Sequence, residues 1–131
     1  MSEIKWLLEE AVHAIHKRQI AEHGGSDGVR DEGLMLSALA RPQNLYAYSE
    51  ETPDISALAA SLAYGIAKNH PFIDGNKRTA LVVSRTFLLL NGFDIKATQE
   101  EKYLTFLSLA EGNLSEEELA NWFRSKLISF D

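Results

Sequence analysis

The sequence predicts an all-α fold of about six helices, on three observations. Apolar residues recur at helical spacing almost throughout, two capping boxes stand directly before apolar runs, and glycine or proline interrupts the pattern about once per helix length. No internal repeat or low-complexity tract breaks the 131 residues, and we read residues 1–131 as one domain. A chain of this length buries roughly two-thirds of its unfolded surface.

Taken in order, Ile4, Leu7, Leu8, Val12, Ile15 and Ile20 mark one face of a first helix that Gly24-Gly25 ends. Asp31 caps a second helix through Leu34, Leu36 and Leu39, expected to stop at Pro42 for want of an N–H. Residues 43–51 are polar and aromatic, long enough for a flap or small hairpin beside a site. A third helix starts near Thr52-Pro53-Asp54, buries Ile55, Leu58, Leu62 and Ile66, and leads straight into His70. The fourth, Asn76 to Asn91, is apolar around much of its circumference and reads as the central buried helix, with Gly92 as its stop. The boxes Thr98-x-x-Glu101 and Ser115-x-x-Glu118 announce the fifth and sixth.

Composition narrows the function. The chain has no cysteine, which excludes disulfides, thiolate metal sites and a cysteine nucleophile and favours an intracellular, cytoplasmic setting. Its N-terminus is acidic and amphipathic rather than a signal sequence, and no run approaches the ~20 apolar residues of a membrane span. A net charge of −6 argues against direct nucleic-acid or membrane binding as the main role, while leaving room for a local basic pocket.

That pocket is written in His70-Pro71-Phe72-Ile73-Asp74-Gly75-Asn76-Lys77-Arg78, which holds a base, a carboxylate, a turn glycine, an amide and two cations ahead of an apolar helix. Imidazole accepts protons at neutral pH, so His70 is the candidate general base; its structural alternative is a histidine serving carbonyls at a helix end. Asp74 is either a hard oxygen ligand for Mg²⁺ beside phosphates or an acidic N-cap. Gly75 permits close backbone approach to an anion. Asn76 either caps the helix or donates its amide to a phosphate. Lys77 and Arg78 stand in a first helical turn, where their charge opposes the dipole, and an anionic ligand would offset that cost. Tyr46 and Tyr48, in the expected flap, are core-edge aromatics or contacts for a target. His13 and His16 lie three apart on the first helix without an evident third metal ligand, so packing is their expected role; Gly24 to Gly28 reads as a turn rather than a phosphate loop.

The nine-residue segment resembles the Fic/Doc signature His-Pro-Phe-x-Asp/Glu-Gly-Asn-x-Arg. The stretches Ile15-His16 to Gly24-Gly25, Arg30-Asp31, Ser37 to Pro42, Ala67-Lys68-Asn69 and Gly75 to Ala80 resemble its death-on-curing branch. The resemblance implies a small all-α Fic fold and a toxin, released from a separate antitoxin protein, that transfers the γ-phosphate of ATP to a threonine or serine of a translation factor, elongation factor Tu, and halts translation. It further implies His70 as base on the target hydroxyl, Asp74 as Mg²⁺ ligand, Asn76 and the loop N–H groups on one phosphate, and Lys77 and Arg78 on the others. Adenylyl-transferring members usually read Gly-Asn-Gly-Arg-x-x-Arg; this chain has Lys77 for the second glycine and Leu81 for the second arginine. That departure favours a kinase over AMP transfer, with a catalytically silent antitoxin binder as the third reading. No glutamate follows serine or threonine by four residues, so the self-inhibitory pattern of some family members is missing and inhibition is expected from another chain.

Overall fold

Six helices and one short two-stranded ribbon make up the computed structural model, which describes residues 3–130. The order is α1 (Glu9–His23), α2 (Glu32–Tyr48), α3 (Ile55–Asn69), α4 (Asn76–Leu90), β1 (Phe93–Ile95), α5 (Gln99–Ala110), α6 (Glu116–Lys126) and β2 (Leu127–Ser129). The expected all-α architecture is observed. Asp31 accepts from Leu34 N at 3.0 Å and Asp54 from Ala57 N at 2.9 Å. Both capping boxes of α5 and α6 are formed.

The centre is α3 rather than α4, which corrects the sequence expectation. α3 packs against α2, α4 and α6. Its buried positions include Ala59, Ala60, Ala63, Gly65 and Ala67. Small residues carry little hydrophobic signal, yet they let neighbouring backbones approach closely: a Cβ on Gly65 would lie 3.2 Å from Ala38 Cα and 2.8 Å from Arg41 Cδ. α4 buries Ala80, Val83, Phe87 and Leu88 but leaves Leu90 and Arg85 exposed.

Two boundaries and one element also differ. α1 begins at Glu9, not Ile4; residues 3–8 run outside the helix along α4, where Trp6 stacks on Phe87 at 5.8 Å and the Asn91 amide bonds both Lys5 N and Lys5 O. The apolar spacing of Ile4 and Leu7 serves packing of an irregular segment equally well. α2 does not stop at Pro42 but continues to Tyr48, so no hairpin or flap exists at 43–48. An interior proline forfeits a helix hydrogen bond. Here burial of Pro42, and of Leu45 and Tyr46 against the core, offsets that loss. The ribbon appears elsewhere, Phe93 opposite Ser129 and Ile95 opposite Leu127, in strands too short to show alternation in sequence.

Candidate functional site

His70 ends α3 in the left-handed conformation, φ 49° and ψ 56°, the only non-glycine residue with positive φ among the described residues. Such a backbone costs on the order of 1–3 kcal/mol and persists only where neighbours hold it. Arg30 does so: its Nε donates to His70 O at 2.7 Å and its Nη2 to Asn69 O at 2.6 Å, ionised donors on the last carbonyls of α3. The backbone N–H groups of Arg30 and Asp31 both donate to Pro71 O, and the Asn69 amide donates to Leu34 O. His70 itself stays exposed.

Phe72 anchors the next step. It is 1 % exposed and lies face to face with His16, ring centroids 3.8 Å apart. His16 Nε2 stands 2.8 Å from Asp74 O; a carbonyl only accepts, so the imidazole donates there. Ile73 N donates to Gly28 O, and Val29 bridges Phe72. The Asn76 side chain closes the loop from inside, accepting from Phe72 N at 3.0 Å and donating to Phe72 O at 2.9 Å. Asn76 is therefore not the cap of α4, which is Gly75; its side chain clamps the loop while the residue still lines the cleft.

Asp74 is not the cap of α4; that place belongs to Gly75, φ 77°, and no side chain caps this helix. Asp74 Oδ1 accepts from Gly75 N at 2.8 Å and Oδ2 from Ser26 N at 3.3 Å. These two N–H groups, Gly75 first, hold its carboxyl below the ordinary carboxylate range, and the Arg78 guanidinium adds to the effect. A Cβ on Gly25 would fall 2.7 Å from Asp74 Oδ2, so the bare glycine makes room for the carboxylate. The first helical bond of α4 runs from Thr79 N to Gly75 O, which leaves the N–H groups of Asn76, Lys77 and Arg78 without an intrahelical acceptor.

His70, Asp74, Gly75, Asn76, Lys77 and Arg78 line one cleft of about 340 Å³ with Ala67, Ile73 and Ala110. Arg78 donates through Nη2 to Gly24 O at 3.1 Å, and its buried Nε has no partner among the described residues. Lys77 Nζ rests 4.7 Å above the Tyr103 ring, on the ridge between this cleft and a second one of about 330 Å³ lined by His23, Leu81 and Phe106. A carboxylate, a row of open helix N–H groups and two cations thus stand together beside an exposed imidazole, a set of groups whose chemistry suits an anion. Tyr46 and Tyr48 are not part of it. Tyr46 lies about three turns along α2 from Leu34, roughly 18 Å from the site end of that helix at ~1.5 Å per residue, with its ring against Trp6. Tyr48 is exposed in a separate cleft with Arg41 and Glu116.

Sequence reasoning passed over His16, Gly25, Ser26 and Arg30 as parts of the site. Each acts on a partner 40 or more positions away. A histidine on the apolar stripe of α1 was the one local signal, and it fits ordinary packing as well.

Residues 6–88, which span α1 to α3, all but the last two residues of α4, and every residue of the cleft except Ala110, match the Fic/DOC family model. The chain belongs to the Fic/DOC family, in its death-on-curing branch. It is 34 % identical over 121 residues, 92 % of this chain and 94 % of the relative, to the protein kinase doc of Escherichia phage P1. It is 43 % identical over 74 residues to the toxin Doc of Mycolicibacterium smegmatis, a match over 56 % of this chain and 57 % of the relative's length.

Proposed function

We propose that this chain is the toxin of a toxin–antitoxin pair and acts as an ATP- and Mg²⁺-dependent protein kinase, transferring the γ-phosphate to a threonine or serine of elongation factor Tu and so halting translation. The observation that carries the reading is one cleft in which the uncapped N-terminus of α4, Asp74 and exposed His70 converge. The donor set suits Mg²⁺: Asp74 is a hard, ionised oxygen ligand with lone pairs to spare, and phosphate oxygens and water complete such a shell. When bound, Mg²⁺ supplies charge neutralisation on the phosphates.

His70 accepts the proton of the target hydroxyl as that oxygen bonds to the γ-phosphorus. The bond from phosphorus to the bridging oxygen breaks, and ADP leaves with the electron pair. The N–H groups of Asn76, Lys77 and Arg78 and the two cationic side chains take the charge on the phosphate oxygens, while Arg30, His16 and the Asn76 side chain hold His70 and Asp74 in register. Two features favour γ- over α-phosphoryl transfer: Lys77 and Leu81 stand where adenylyl-transferring members carry glycine and arginine, and the phage relative is named a protein kinase. Inhibition falls to a separate antitoxin chain. No helix among the described residues is long and apolar enough to cross a membrane.

Incubation of the purified chain with elongation factor Tu, Mg²⁺ and ATP labelled at either the α or the γ position tests the proposal. Label from the γ position alone on the factor is expected. Label from the α position overturns the kinase assignment in favour of adenylylation, and no label from a folded, antitoxin-free chain on this factor or on a cell extract overturns enzymatic function.

A further inference from the structure

Away from the phosphate cleft, three potential metal ligands meet where α1 and α2 begin. Glu9 and His13 are one turn apart on α1 and share a face; Glu32 opens α2 directly after its cap, Asp31. His13 Nε2 lies 3.1 Å from Glu32 Oε1 and 3.8 Å from Glu9 Oε1, and one ligand atom from each of the three lies within 4.8 Å of the others. Four-coordinate zinc with ligands at about 2.0–2.1 Å spaces them about 3.3 Å apart, so both histidine distances straddle the required edge. Small rotations of two half-exposed glutamates close the third.

We infer that Glu9, His13 and Glu32 form a binding site for a first-row divalent cation of the zinc type, with water as fourth ligand, that staples α1 to α2. The imidazole nitrogen separates this set from an acidic surface patch, since one nitrogen and two carboxylate oxygens select zinc-like ions over Ca²⁺ or Mg²⁺. Two carboxylates from different helices also face each other here. Position gives the site a consequence. The His13 ring stands edge-on to Phe72 at 6.2 Å, and Glu32 follows the Arg30-Asp31 pair that holds His70 and Pro71. A cation at this point braces the loop-bearing side of the phosphate cleft from behind, independently of nucleotide.

Chelator-treated protein titrated with Co²⁺ tests the site, because four-coordinate cobalt has strong visible d–d bands. Saturable bands from a single Co²⁺ per chain are expected, displaced by Zn²⁺, with a melting temperature raised by Zn²⁺. His13→Ala and Glu32→Gln should each weaken binding about tenfold or more and abolish the thermal shift. Asp74→Asn, which alters the phosphate cleft, should leave both signals in place. Circular dichroism of the variants checks that they fold, and His13→Gln serves should His13→Ala fail to fold. Absence of bands in the parent, their survival in either variant, or their loss in Asp74→Asn would each overturn the site.

Discussion

The first turns of α4 and α6 are built in opposite ways. α6 opens with Ser115 and Glu118 bonded reciprocally to each other's backbone, and its first turn is Glu116-Glu117-Glu118. Every local choice there satisfies the free N–H groups or complements the dipole. α4 opens with glycine in the left-handed conformation, no side-chain cap, and Lys77 and Arg78 in the first turn. The first arrangement stabilises a helix by itself. The second forgoes that stability and keeps its positive end available, which is what binding an anion requires.

Four substitutions break or sharpen this contrast. The largest effect belongs to His70→Ala, which should lower phosphoryl transfer about 10²–10⁴-fold. Its melting temperature should stay close to the parent's, because the side chain is exposed and alanine keeps the Cβ that strains this backbone. Single-turnover transfer of γ-label, alongside thermal unfolding, measures both; near-full activity would show that another group takes the proton.

Asn76→Ala comes next and acts through stability. It leaves the buried Phe72 N–H and C=O without partners, at about 1–3 kcal/mol each, so unfolding in urea should show a loss of about 2–6 kcal/mol with the transfer rate falling in parallel. An unchanged midpoint would mean that the loop holds itself.

Lys77→Glu separates the two needs of the α4 start. An acid in the first turn gains about 0.3–1 kcal/mol from the dipole, and losing the cation over Tyr103 costs about as much, so stability should hardly move. Binding of Mg²⁺-ATP, read by calorimetry, should nonetheless be lost. Retained affinity would place the nucleotide off the α4 terminus.

Smallest is Ser115→Ala, expected to cost about 1 kcal/mol of stability with no change in transfer rate. The Glu118 carboxyl is held below its usual value, first by the Ser115 N–H. A lowered folded-state pKa contributes stability that is present above the unfolded glutamate value and lost as pH falls through the folded one. The parent should therefore lose more stability than a Ser115→Ala/Glu118→Gln double variant below about pH 4, where carboxylates of this kind titrate. Equal acid sensitivity would show that the box contributes nothing.

The outcome sorts by the distance over which each feature is encoded. Caps at Asp31, Thr98 and Ser115, the stop at Gly24 and the run from His70 to Arg78 lie within a few residues of what they control, and all were readable in the sequence. Pro42 shows the limit of such reading. Proline opposes a helix locally, yet tertiary burial of the surrounding turn carried α2 onward and removed the expected flap, and with it the placement of Tyr46 and Tyr48 near the loop.

The amino-acid sequence by itself determined the six helices, the absence of thiol chemistry, and the cluster of base, carboxylate and cations at one helix start, because periodicity, capping and composition act over a few residues. Only the tertiary structure decided that alanine-rich α3 is the core, that the Asn76 side chain clamps the loop, and that His16, Gly25, Ser26 and Arg30 hold the site. Those roles depend on contacts such as Arg30 with His70 and Ser26 with Asp74, between segments 40 or more positions apart. Whether two such segments meet is settled by how the helices pack, and side-chain spacing along the chain carries no record of it.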